Sequence, residues 1–125
     1  MKKLIILAGA LALSATPVLA DVATELGKAG THAGLAAKAA AIDGVHMHLH
    51  HALNCLVGPS GDGFDATNMN PCAKDGNGAI PDGSDAQKAK LADAVASAKA
   101  GIAATDLAAA QADAQKTADT IGMAK

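Results

Sequence analysis

Val22, Leu26, Ala29, Ala33, Ala36 and Ala40 recur at intervals of three and four residues. That spacing keeps one face of a helix apolar, and it predicts a helix over about 22–42 with a small-residue seam. Val45, Leu49, Ala52, Leu53 and Leu56 form the stripe of a second helix, about 44–57. Asp43-Gly44 reads as the stop and re-start between the two, and Val57-Gly58-Pro59 as the end of the second. Leu91, Val95, Ala98 and Ile102 predict a third helix, about 85–101, capped by Ser84 or Asp85 and ending near Gly101. Leu107, Ala110, Ala114, Thr117 and Ile121 predict a fourth, about 105–122, opened by Thr105-Asp106. The five-residue step from Ile102 to Leu107 shifts the register, which favours a turn over one continuous helix.

The stretch between, residues 58–84, has no period. It holds Pro59, Pro71 and Pro81, Asp62, Asp65, Asp75 and Asp82, and a high density of glycine. A loop this long in a small domain is functional or is held by something. The pattern therefore predicts an all-α protein: a small helical bundle of two hairpins joined by a long Gly/Asp-rich loop. The bundle closes within one chain or pairs two chains as a homodimer.

Composition changes the picture in one respect. The apolar half of the chain is mostly alanine, and Phe64 is its only aromatic residue. Alanine favours helix but buries little area, so the core is expected to be thin and to need a cross-link, a metal or a partner. Cys55 and Cys72 are the only cysteines and bracket much of the loop. A disulfide between them would pin the loop to the second helix and contribute about 3 kcal/mol in the chain-entropy model. The competing role for Cys55 is a thiolate ligand.

Met1-Lys2-Lys3, an apolar run from Leu4 to Leu13 and the ending Val18-Leu19-Ala20 read as a signal peptide over residues 1–20. Residues 21–125 would form one domain in the periplasm or outside the cell. All twelve acids but only eight of the ten lysines lie there, a balance of 8 − 12 = −4, and the chain has no arginine. Nucleic acid and anionic lipid surfaces call for basic patches and are not expected partners.

The chemistry lies in "HMHLHH", residues 46–51, which holds four of the chain's five histidines. At about 100° per residue, His46 and His50 fall on one face of the second helix, and His48, His51 and Cys55 on another. Spacings of three and four let imidazoles converge on one ion. One face offers only two histidines, so a tight site needs more. If the chain reverses near Asp43, His32 stands level with the His51–Cys55 turn of the facing helix. If it runs straight through Gly44, His32 is about 21 Å from His46 and takes no part. The candidate ligands are His46, His48, His50, His51, His32 and the thioether of Met47. Imidazole suits copper, nickel or zinc, and the usual affinity order puts copper first. Histidines packed against the loop without an ion, and proton-linked switching, are the other readings.

Other chemistry finds little support. Counted from Asp75, the calcium-like "DGNGAIPD" has Ala79 and Ile80 where an EF-hand needs an oxygen ligand and glycine, so it reads as a turn-rich loop. There is no Cys-x-x-Cys-His and no His-Glu-x-x-His, and nothing assembles a nucleophile with a base, so no enzyme is expected.

The leader, the alanine-rich amphipathic helices and "HMHLHH" together resemble the small periplasmic metal-binding proteins of the SmbP type, compact helical bundles that take up copper and other divalent ions. The resemblance implies metal buffering or transfer carried by His46, His48, His50 and His51. That family spreads histidines through its repeats, whereas the third and fourth helices here contain none. One or two defined ions are therefore expected. The alternative is a non-enzymatic helical interaction module whose histidine helix and pinned loop form a surface for a protein partner.

Overall fold

A computed structural model describes residues 20–125. The leader expected over 1–20 lies outside them except for its last residue. The described chain is helical: α1 (Val22–Lys38), α2 (Ile42–Val57), a single turn α3 (Ala79–Asp82), α4 (Asp85–Ala103) and α5 (Leu107–Met123). The α1–α2 and α4–α5 hairpins pack side by side, α1 against α5 and α2 against α4, so one chain closes the bundle. Among the described residues no helix is long and apolar enough to cross a membrane.

Most of the expected stripes make the core, with Val22, Val95, Ile102 and Leu107 half-buried at its edge, whereas Ala40 lies beyond the end of α1 and is exposed. Leu26, Ala29, Ala33 and Ala36 of α1, and Val45, Leu49, Ala52, Leu53 and Leu56 of α2, are buried. Leu91 and Ala98 of α4, and Ala110, Ala114, Thr117 and Ile121 of α5, close it from the other side. With alanine on so many inner positions the helices come close together. At Gly101 a Cβ would stand 2.5 Å from Leu49 Cδ1 and 3.1 Å from Asp113 Cβ. Gly101 therefore serves as a contact point between helices inside α4, which runs two residues beyond it, and not as the expected helix end. Ser84 and Gln87 form a reciprocal capping box at the start of α4, and Asp106 caps α5 by accepting from the Ala109 N–H at 2.9 Å.

The first turn also differs from expectation. The chain reverses at residues 39–41, and Asp43 and Gly44 lie in the first turn of α2. Asp43 complements the positive end of the helix dipole there. Gly44 admits the neighbouring Ala39, whose Cβ would be 3.2 Å from a Cβ at Gly44. The glycine thus makes the reversal tight instead of stopping a helix.

Residues 58–78 lack regular helix, but α3 gives the expected loop one helical turn at its end. The loop is tied down along its length. The Cys55–Cys72 disulfide is formed, with Cα atoms 5.1 Å apart. Gly58 and Gly78 both have positive φ and meet back to back: a Cβ on Gly58 would fall 1.6 Å from the Asn77 carbonyl oxygen. The Lys28 ammonium joins α1 to the Asp75 carboxylate at 2.6 Å and to the Pro71 carbonyl at 3.1 Å. The loop covers the outer side of α2, so every residue from His51 to Val57 is buried, including positions that the helical pattern alone assigns to solvent.

Candidate metal centre

The tight reversal at 39–41 sets α1 antiparallel to α2 and brings His32 opposite the histidine helix. His32 Nδ1 and His48 Nδ1 are 3.3 Å apart. The His51 ring packs edge-on against both, with centroids 5.0 Å from His32 and 5.7 Å from His48, and the His32–His48 separation is 5.6 Å. One ring nitrogen from each of the three lies within 4.8 Å of the other two. Three imidazoles therefore stand close enough to hold a metal ion.

Their surroundings differ. His51 is 8 % exposed, and its Nδ1 is buried without a hydrogen-bond partner. His32 and His48 are partly exposed and form the outer edge of the group. Burial, and then the repulsion of His51 and His48, pull the His32 pKa below its ordinary value. Burial, and then His48 and His50, do the same to His51. Both rings are thus biased towards the neutral form, whose lone pair can bind a metal.

The remaining candidates stand elsewhere. His46, expected beside His50, donates from Nε2 to the Ala104 carbonyl at 2.9 Å and ties the start of α2 to the α4–α5 corner. His50 Nδ1 faces the Asp65 carboxylate at 3.6 Å, beyond hydrogen-bond distance, and like His51 Nδ1 is buried without a hydrogen-bond partner. The expected His46/His50 pair is therefore divided between two non-local partners. Met47 is 44 % exposed and points away from the core. Cys55 is committed to the disulfide, which removes the thiolate alternative in this oxidised state.

Two residues that hold the neighbourhood in place carry no motif. Asn54, which the helical wheel puts on the side away from the core, is fully buried. Its amide donates to the carbonyls of Asp65, Asn68 and Met69 at 2.9, 3.2 and 3.2 Å, and its oxygen accepts the Asp65 N–H at 2.9 Å. That clamp seats Asp65 beside His50. Thr67 and Asn68 in turn donate to the Asp65 carboxylate, whose pKa is lowered to about 2 by the Thr67 hydroxyl first and the Thr67 backbone second. The second residue is Glu25, buried on α1, which accepts the Gly78 N–H at 2.9 Å and holds the far end of the loop. A polar residue one turn beyond the histidines was the only sequence signal for Asn54.

Comparison of the chain with protein-family models, curated proteins and solved structures finds no match. The functional reading therefore rests on the geometry alone.

Proposed function

We propose that the chain is an exported, periplasmic protein that binds a transition metal between α1 and α2 through His32, His48 and His51, and buffers it or hands it on. The observation that carries this reading is the meeting of three imidazoles from two helices, each with one ring nitrogen within 4.8 Å of the other two. The neutral bias of His32 and His51 supports the same role.

This site revises the ligand set expected from the resemblance to SmbP-type proteins. His48 and His51 keep their place, His32 joins them, and His46 and His50 stand outside the group. Copper, nickel and zinc are all ions that imidazole accepts, and the affinity order favours copper.

The test is calorimetric titration of residues 21–125, disulfide intact, with copper, nickel and zinc salts. Saturable uptake of one ion per chain is expected, and it should vanish in the His32→Ala/His48→Ala/His51→Ala variant. Absence of saturable binding by any of the three ions would sink the reading.

A further inference from the structure

The arrangement of the three rings also bears on which ions the site takes, an inference that rests on the metal reading above. With metal–nitrogen bonds of about 2.05 Å, two ligating nitrogens stand about 3.3 Å apart at the tetrahedral angle and about 2.9 Å apart at a right angle. The His32 and His48 Nδ1 atoms share a hydrogen bond at 3.3 Å, a separation that two ligands on a tetrahedral ion would also have. Ring centres give a second measure. An imidazole centroid lies about 1.15 Å behind its donor atom, so three rings on a tetrahedral ion have centroids about 5.2 Å apart, and on a trigonal ion about 5.5 Å. On a square-planar ion three rings cannot be equivalent: two separations are about 4.5 Å and the third about 6.4 Å. Three mutually adjacent sites of an octahedron give about 4.5 Å throughout. The observed separations, 5.0, 5.6 and 5.7 Å, span 5.7 − 5.0 = 0.7 Å and surround the tetrahedral and trigonal values.

The three-fold disposition has a structural cause. His48 and His51 leave α2 one turn apart, and His32 enters from the facing helix, so the rings converge from three directions. The His51 ring stands at 85° and 88° to the other two. The donor atoms lie within 4.8 Å of one another, so closing on an ion calls for a contraction of at most about 1.5 Å. Among the described residues no fourth histidine, cysteine or acid joins the group. The outer edge, where His32 and His48 are partly exposed, is left for water or an incoming donor.

We infer that this is a three-imidazole site for closed-shell ions that accept tetrahedral or trigonal coordination, zinc(II) or copper(I), with one position open, and that it discriminates against nickel(II) and copper(II), which favour tetragonal geometry. The open position gives a hand-over route, because a recipient's donor atom can bind the ion before the histidines release it. The preference opposes the ordinary affinity order, which rises through nickel to copper and falls at zinc.

Cobalt(II) is the probe of geometry. Residues 21–125 with the disulfide intact should give the intense visible bands of four-coordinate cobalt. One equivalent of zinc should abolish them, and the bands should be missing from His51→Ala and retained in His46→Ala. In direct competition zinc should bind at least tenfold more tightly than nickel. A weak six-coordinate cobalt spectrum, or nickel binding as tightly as zinc, overturns the geometric inference and leaves metal binding itself standing. If cobalt, nickel, zinc and copper all fail to bind, the proposed function and the inference fall together; if copper alone binds, the proposed function stands and the inference falls.

Discussion

His32 Nδ1 and His48 Nδ1 face each other at 3.3 Å across the α1–α2 hairpin, although sixteen residues separate them in the chain. The turn at 39–41 sets that distance. It fixes which residue of α1 stands beside which residue of α2, and α-helix geometry turns every change of one residue in that register through about 100°. The pair is thus a property of the hairpin, and the third ring, His51, is added by being one turn further along α2.

Single substitutions should separate ligands from bystanders. His32→Ala, His48→Ala and His51→Ala should each weaken metal binding by roughly 100-fold, because two imidazoles hold an ion far less well than three. His46→Ala should leave affinity within a few-fold of the parent and lower stability instead, since its ring bonds the Ala104 carbonyl. His50→Ala should also leave affinity nearly unchanged. Calorimetry on the five variants checks this. Equal losses at His46 and His48 would return the site to the whole histidine cluster.

The disulfide should act on stability and not on the site. Replacing Cys55 and Cys72 by alanine should cost about 3 kcal/mol, a fall of roughly 10–20 °C in the unfolding midpoint. Metal affinity of the folded variant should stay within a few-fold of the parent, because neither cysteine is one of the three converging donors. Thermal unfolding followed by circular dichroism, with a titration well below the new midpoint, reads both quantities.

Much of this molecule was legible in its hydrophobic spacing. Every residue of the α2 stripe is buried as expected, and the wheel correctly set His48 and His51 on one face. The same wheel set His46 with His50 on a second face of α2, but their side chains turn to groups from elsewhere in the fold. Ala104 is reached only when α4 packs on α2, and Asp65 only when the loop folds back. Whether His32 took part turned on a choice between reversal and a straight run that Asp43-Gly44 left undecided. Asn54 was illegible for a similar reason. A loop without periodicity gives no sign of which helix face it will cover.

Asn54 should prove more important than its lack of a motif suggests. Its NH2 group shares two hydrogens among three loop carbonyls and its oxygen accepts one loop N–H, in a fully buried position. Asn54→Ala should therefore cost about 2–3 kcal/mol in urea unfolding and speed hydrogen exchange at the Asp65 amide. Asn54→Asp, nearly identical in shape, should be worse, because it points a carboxylate at the carbonyl oxygens of Asp65, Asn68 and Met69. If the aspartate variant is the more stable of the two, the clamp has been assigned wrongly.

Glu25 should give the protein a pH dependence of its own. Its carboxyl is fully buried, receives one backbone N–H from Gly78, and leaves Oε2 without a partner. Burial first raises its pKa above the ordinary 4.5. The Gly78 bond opposes this, and the charges of Asp82, Asp75 and Asp21 add to the rise. A raised folded-state pKa means that the folded state holds the proton more tightly than the unfolded chain does. The resulting stabilisation is complete below pH 4.5 and is lost as pH rises through the folded value. His32 and His51 act in the opposite sense: with their pKa values lowered, stability present above 6.5 is lost as pH falls below 6.5 through the folded values. The wild-type curve alone would mix these effects, but the difference between wild type and Glu25→Gln isolates the carboxyl, because the histidines are common to both. Glutamine keeps an oxygen for the Gly78 N–H and cannot ionise. The variant should be at least as stable as wild type at pH 7, and the difference should move in favour of wild type as pH falls to 4.5. A difference that stays constant between pH 7 and 4.5 would mean that Glu25 has the same pKa folded and unfolded, and that its burial is compensated by groups other than Gly78.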